Sequence, residues 1–273
     1  MSLRDRHVRG LLGVLVALAS LLPLAIGGLV AHGASRALVS LGPLAFLTGG
    51  EWAPSRDHWF LLQMVAASIV SSAGAVGLAF PVSLGLALHL RWFAGPRAAG
   101  LVRASLGILA GTPSVVFGLV ALQLVVPVLR ALQPPGLSLG AAILTLAVML
   151  LPTLGLGMDA ALAQVPAGPV RAAAALGLDA WETTRAVLLP LAWPGLRTAT
   201  VLALTRALGE TMALLMVAGN TVAWPGSLFQ PVRTLTGGIA VEMAYAAGDH
   251  RSALFVSALA LFALVVALRA ARP

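Results

Sequence analysis

The sequence predicts an all-α, polytopic membrane protein with six spanning helices. Three observations carry that expectation. Apolar residues make up 59% of the 273-residue chain, charged residues only 10%, and the apolar residues gather into long runs. A water-facing surface of this size needs about 25% charged residues. Runs of about 20 apolar residues match the thickness of a bilayer's hydrocarbon core. They fall at roughly 11–31, 63–90, 102–130, 138–163, 195–219 and 252–270.

The first run follows Arg4, Arg6 and Arg9, the flank of a secretory leader. Its apolar stretch is about twice a leader's, and no A-x-A site closes it, so a retained anchor is expected. Pro81 lies inside the second run, where it predicts a kink or tilt. The chain divides into an anchor helix with an outer loop (1–62) and a transmembrane domain (63–270). Two long segments, about 32–60 and 220–250, carry Trp52, Trp59 and Trp224, residues suited to the membrane interface.

The arginines orient the spans. With the N-terminus inside, one side holds Arg4, Arg6, Arg9, Arg91, Arg97, Arg103, Arg171, Arg185, Arg197, Arg269 and Arg272; the other holds Arg36, Arg56, Arg130, Arg233 and Arg251. That excess places both termini in the cytoplasm. Other classes are excluded by absence. The chain has no cysteine for disulfides or thiolate metal sites, its five histidines show no ligand spacing, and no lysine exists to complete a Walker A loop.

The loop from 164 to 194 reads as a helix, a glycine break and a second helix outside the bilayer. Asp179 followed three residues later by Glu182 has the spacing of a capping box. Trp181 is expected to pack this second helix. Arg171, Ala172, Ala173, Gly177, Val187, Leu189 and Pro190 fall in register on the EAA-x3-G-x9-I-x-LP pattern of ATP-binding-cassette importers, with Arg171 in place of Glu. The loop therefore resembles the coupling loop that fits a cleft on an ATPase subunit.

Further segments narrow the resemblance: FLTGGEWAP (46–54), FPVSLGLAL (80–88), LAGTPSVVFGL (109–119), AVMLLPT (147–153), ALGLDAWETTRAVLLP (175–190), TRALGETMALLMVAGN (205–220) and VRTLTGGIAVEM (232–243). Together they are similar to the PstC-type permease of the phosphate ABC importers, over about residues 40–265. The resemblance implies a type I, MetI-like permease fold in a bacterial inner membrane. It also implies a second, PstA-type permease, two PstB-type ATPases and an external PstS-type phosphate-binding protein. ATP and Mg would sit on the ATPases, this chain would hold no cofactor and bind no nucleic acid, and bond chemistry would belong to the partners.

RALGET is the chemical centre of the sequence. Arg206 and Glu210 stand four residues apart in an apolar run, so a continuous helix would put them on one face. A charge near mid-bilayer costs on the order of 3 kcal/mol on insertion scales, so such residues face the bundle and find partners. Residue chemistry alone leaves two readings: mutual neutralisation, or an anion site in which the guanidinium offers planar donors to phosphate. In the second, Glu210 orients Arg206 and tempers its field, and Thr211 adds a hydroxyl. The resemblance implies that the pair acts in transport. Thr112 and Ser114, in GTPS, either mark a packing notch or sit at a broken helix end facing a cavity. The rival readings are a permease for sulfate or molybdate, an ion-driven secondary transporter, and a non-transporting anchor.

Overall fold

The computed structural model describes residues 3–270, with side chains from residue 12 onward. The side chains of Arg4, Arg6 and Arg9, and all of Arg272, lie outside the described residues. Almost everything described is helical, as a chain in lipid requires, because helices satisfy their own backbone groups. Six helical stretches are long and apolar enough to cross a membrane: Leu12–Ser40, Leu62–Trp92, Ser114–Leu132, Leu139–Ala163, Ala180–Leu208 and Gly248–Ala270. The count matches the sequence expectation. Two of the six expected spans, however, are interrupted.

The chain forms two compact units, residues 63–238 with 265–273 and residues 1–62 with 239–264. The larger unit is organised on helix α5 (Leu139–Ala163). Leu146, Leu150, Leu154, Met158 and Leu162 recur every four residues along it, and all five are fully buried. They form one ridge of the kind that interdigitates with neighbouring helices. Helix α2 (Leu62–Trp92) runs through Pro81 without ending, and its Ser83 hydroxyl donates to the Leu151 carbonyl of α5.

Helix α3 (Pro96–Gly111) and helix α4 (Ser114–Leu132) replace the single expected span at 102–130. The break sits at Thr112–Pro113. Proline disfavours helical backbone in the residue before it, and Thr112 is extended (φ −69°, ψ 132°). The fifth expected span is broken as well. Helix α8 (Leu189–Leu208) stops before Gly209, and a short helix α9 (Met212–Val217) resumes after Thr211.

Helices α5 and α8 meet through small residues. A methyl group on Gly195 would lie 2.7 Å from the Ala161 side chain, and one on Gly157 would lie 2.9 Å from that of Ala199. Backbones approach this closely only where side chains are absent, the usual device of helix contacts in membranes. The start of α5 is closed by the loop that follows α9. Leu139 and Gly140 donate their N–H groups to the carbonyls of Gln230 and Leu228, and Ser138 donates to Val217.

In the smaller unit, helix α1 (Leu3–Ser40) packs its later half on helix α11 (Gly248–Ala270). Gly33 lies under the ring of Phe255, Ser252 donates to the Gly33 carbonyl, and Arg36 pairs with Asp249 at 2.7 Å. A two-residue hairpin, β1 (Trp52–Ala53) and β2 (His58–Trp59), carries the outer loop. The Trp52 indole donates to Glu242 (3.0 Å), which also bonds His250 (2.8 Å). Two of the sequence signatures, GGEWAP and GGIAVEM, are thus joined by one buried carboxylate.

Gly195→Val is expected to lower the thermal unfolding midpoint in detergent, because overpacking a tight contact costs about 1–3 kcal/mol. Gly168→Ala, where a new methyl meets open space, should leave the midpoint nearly unchanged. Tryptophan-fluorescence melts of the two variants measure both.

Candidate functional site

The site is built on the α8–α9 break. Leu208 ends the helix and Gly209 turns the chain (φ −84°, ψ −5°). A break frees backbone groups that lipid cannot satisfy, and each unsatisfied group costs several kcal/mol. Here they are met locally. The Thr236 hydroxyl donates to the Glu210 carbonyl at 2.8 Å, and the Glu210 carboxylate accepts the N–H of Ala213 at 3.2 Å. Glu210 therefore stitches the break with its main chain and its side chain together, and is itself buried.

This changes the expected relation between Arg206 and Glu210. The two do not share a helix face, because Glu210 lies beyond the last residue of α8. Glu210 is turned into the protein to cap α9, whereas Arg206 lies exposed on α8. Arg206 makes no hydrogen bond or ion pair with any described residue. Thr211 stands half-buried between them in the break, its hydroxyl directed to the Gly209 carbonyl at 3.3 Å.

Thr112 and Ser114 flank the other break, both half-buried. The Thr112 hydroxyl donates back to Ile108 at 3.1 Å. Helices α4 and α9 touch where Gly118 meets the Ala213 backbone and the Met216 sulfur. Ser114 lies one turn, about 6 Å, before that contact, and Thr211 lies two residues before it on the other helix. The two interruptions are thus brought to neighbouring levels, though no hydrogen bond links them directly.

Sequence reasoning missed the second layer of the site. Thr236, and Thr234 beside it at 3.2 Å, are buried. Ser68 of α2 accepts the N–H of Leu235 and so fixes this segment. Arg233 donates to the carbonyl of Asn220, whose own amide closes α9 at Leu215. The signal was present: Thr234 and Thr236 lie in VRTLTGGIAVEM, a stretch too apolar to be a plain exposed loop.

The coupling-loop residues form one continuous element. Helix α6 (Ala167–Ala175) ends in a Schellman turn, with Leu178 bonding Ala173 and Gly177 bonding Ala174. Gly177 has φ +85°, where only glycine sits without strain. Helix α7 (Ala180–Thr183) opens with the expected capping box: Glu182 N–H donates to Asp179 at 2.7 Å, and Asp179 N–H to Glu182 at 3.0 Å. A π-helical turn, Thr184–Leu188, then leads into Leu189 and Pro190 at the start of α8. Ala173 is buried, while Arg171 and Ala172 are exposed.

Trp181 does not pack this element. It is 66% exposed and, with Leu176 at 81%, presents an apolar surface outward. The residue that holds the element from behind is Trp92, at the end of α2. Its indole N–H donates to the Thr184 hydroxyl at 2.8 Å, inside the π-helical turn.

Removing the Glu210 cap should destabilise the fold by about 1 kcal/mol, the usual effect of losing a side-chain cap. Glu210→Ala is expected to melt earlier than the parent. Glu210→Gln, whose amide oxygen can still accept from Ala213, should melt close to it.

Comparison with known proteins agrees with this architecture. Residues 79–271 match the family model described as "Binding-protein-dependent transport system inner membrane component". The probable ABC transporter permease protein YqgH of Bacillus subtilis is 34% identical over 209 residues, which cover 75% of this chain and 68% of that one. The phosphate transport system permease protein PstC of Mesorhizobium japonicum is 32% identical over 254 residues, covering 85% and 77%. An inward-facing structure of the MetNI methionine ABC transporter superposes with a TM-score of 0.61 at 23% identity, covering 81% of this chain and 95% of that one. That likeness speaks for the fold alone, the type I ABC-importer permease fold. With its broken helices, its Gly177 turn and a family match across most of its length, the chain belongs to the binding-protein-dependent transport system inner-membrane components, a family of multi-pass transport permeases.

Proposed function

We propose that this chain is the PstC-type permease of an ATP-driven phosphate importer, and that phosphate crosses the membrane past Arg206. The observation that carries the proposal is the Arg206 side chain. It stands on the exposed face of α8, two residues before the helix end, with Glu210 withdrawn into a structural cap. Arg206 lies nine residues beyond Arg197, about 13 Å along the helix. A lone charge at that depth is expensive unless a polar partner or a water-filled cavity receives it. A planar, permanently charged fork is also the donor set that replaces water around a phosphate oxygen pair. The naming of several relatives as phosphate permeases supports the choice of anion.

The remaining parts follow from this reading. A second, PstA-type permease stands beside the chain and completes the path, and an external phosphate-binding protein delivers the anion. Both termini and the 164–194 element face the cytoplasm, as the arginine count requires. Two ATPase subunits bind and hydrolyse ATP with Mg and dock on the surface that exposes Leu176 and Trp181. Their closure moves residues 171–190 and, through α8, the Arg206 face. Arg171, where this loop usually carries Glu, gives the docking surface a positive charge for an acidic group on the ATPase. Thr112, Ser114 and Thr211 serve as polar neighbours of the path.

Arg206→Ala is expected to abolish phosphate uptake while the complex assembles at the parental yield. Normal uptake by a well-expressed Arg206→Ala complex would remove Arg206 from the path. Uptake of labelled phosphate by the parent should withstand excess sulfate or molybdate; strong competition by either would reassign the substrate. Gly177→Asp places a side chain at φ +85°, a strain of about 1–2 kcal/mol, on the docking surface. It should reduce co-purification of the ATPase, and recovery at the parental level would count against the coupling role.

A further inference from the structure

The face of α8 that carries Arg206 continues toward the helix start. Pro194, Thr198, Leu202 and Arg206 recur every four residues and are all exposed, so they form one ridge. Beside the first three of them lies a hollow of about 360 Å³ between α5 and α8. Its floor includes Gly157 and Gly195, the glycines that let the two helices touch. Gln164, at the end of α5, and Thr198 supply its polar groups.

A helix contact alone explains the glycines but not the polar rim. The Thr198 hydroxyl donates to the Pro194 carbonyl at 3.0 Å, and a turn about χ1 releases it. The Gln164 side-chain amide has no hydrogen-bond partner among the described residues. A space of this size holds on the order of ten waters. Between this wettable hollow and Arg206 stands one apolar side chain, Leu202, 42% exposed. It lies about 6 Å from Thr198 on one side and about 6 Å from Arg206 on the other.

We infer that Leu202 is a gate residue, and that the hollow of Gly157, Gly195, Thr198 and Gln164 is the hydrated vestibule through which the anion leaves Arg206 for the cytoplasm. The inference rests on the phosphate reading and its orientation. Apolar constrictions in membrane paths close by excluding water and open when their walls part. Leu202 has the chemistry for that role because it interrupts an otherwise polar ridge at the step between the binding guanidinium and the vestibule. Movement of the 171–190 element acts on the start of the same helix, so it shifts Leu202 against the α5 wall.

The chain contains no cysteine, so single cysteines report without background. Thr198→Cys, Leu202→Cys and, as a positive control in the exposed α2–α3 turn, Gly95→Cys are placed in the full transport complex in inside-out vesicles. The probe is the anionic, membrane-impermeant 2-sulfonatoethyl methanethiosulfonate. The Thr198→Cys complex should react at rest and lose phosphate uptake on labelling. The Leu202→Cys complex should react only when ATP is turning over. Leu202→Ala should keep ATP hydrolysis and gain uptake that no longer needs the binding protein. A reactive Gly95→Cys control beside Thr198→Cys and Leu202→Cys complexes that stay unreactive in every state would overturn the vestibule. Reaction of the Leu202→Cys complex at one rate with and without ATP would overturn the gate. Labelling as expected in a complex that carries a different anion would keep the vestibule and overturn only the substrate.

Discussion

A helix that is interrupted inside a membrane must find partners for the backbone groups it releases, because lipid offers none. That constraint governs this protein around Gly209–Thr211. The carbonyl of Glu210 is taken by the Thr236 hydroxyl, and the N–H of Ala213 by the Glu210 carboxylate. Each bond of this kind replaces a penalty of about 1–3 kcal/mol, or more in lipid, for leaving the group unmade. Two residues from distant parts of the chain thus make an otherwise unstable turn permanent. Ser68 fixes Leu235 in the same layer, so the support reaches back to α2.

The same constraint separates two charges that the sequence sets side by side. A continuous helix would have let Glu210 neutralise Arg206 and quieten both. The break instead draws the carboxylate inward as a cap and leaves the guanidinium on the outer face of α8. An anion binds best to a fork that is held near it and has not already been satisfied, and the withdrawal of Glu210 creates that condition. Small residues do the complementary work elsewhere: Gly118, Gly157 and Gly195 bring α4, α5, α8 and α9 close enough for their ends to stay in register.

Much of this was legible in the sequence. The six spans, the helix–glycine–helix loop and the Asp179–Glu182 capping box follow from apolar run length and from local hydrogen-bond chemistry, both short-range properties. What escaped detection was non-local. The break at Pro113 was readable as a notch but not as two separate helices. The break at Gly209 was hidden because one glycine in an apolar run is compatible with continuous helix. Its stabilisation depends on Thr236, 26 residues beyond Glu210. The packing expected of Trp181 fails because its exposure depends on the fold behind it, where Trp92 occupies the position Trp181 was expected to fill. The side-chain directions of Arg206 and Glu210 were equally inaccessible, since i,i+4 reasoning presumes an unbroken helix.

The bond from the Trp92 indole to Thr184 has a mechanical consequence. A single hydrogen bond resists stretching but offers little resistance to rotation, so it behaves as a ball joint rather than a weld. The loop it holds is continuous with α8 through the π-helical turn and merely hinged to α2. A push on that loop therefore turns α8 as a rigid lever, while α2 serves as the fulcrum and keeps its own orientation.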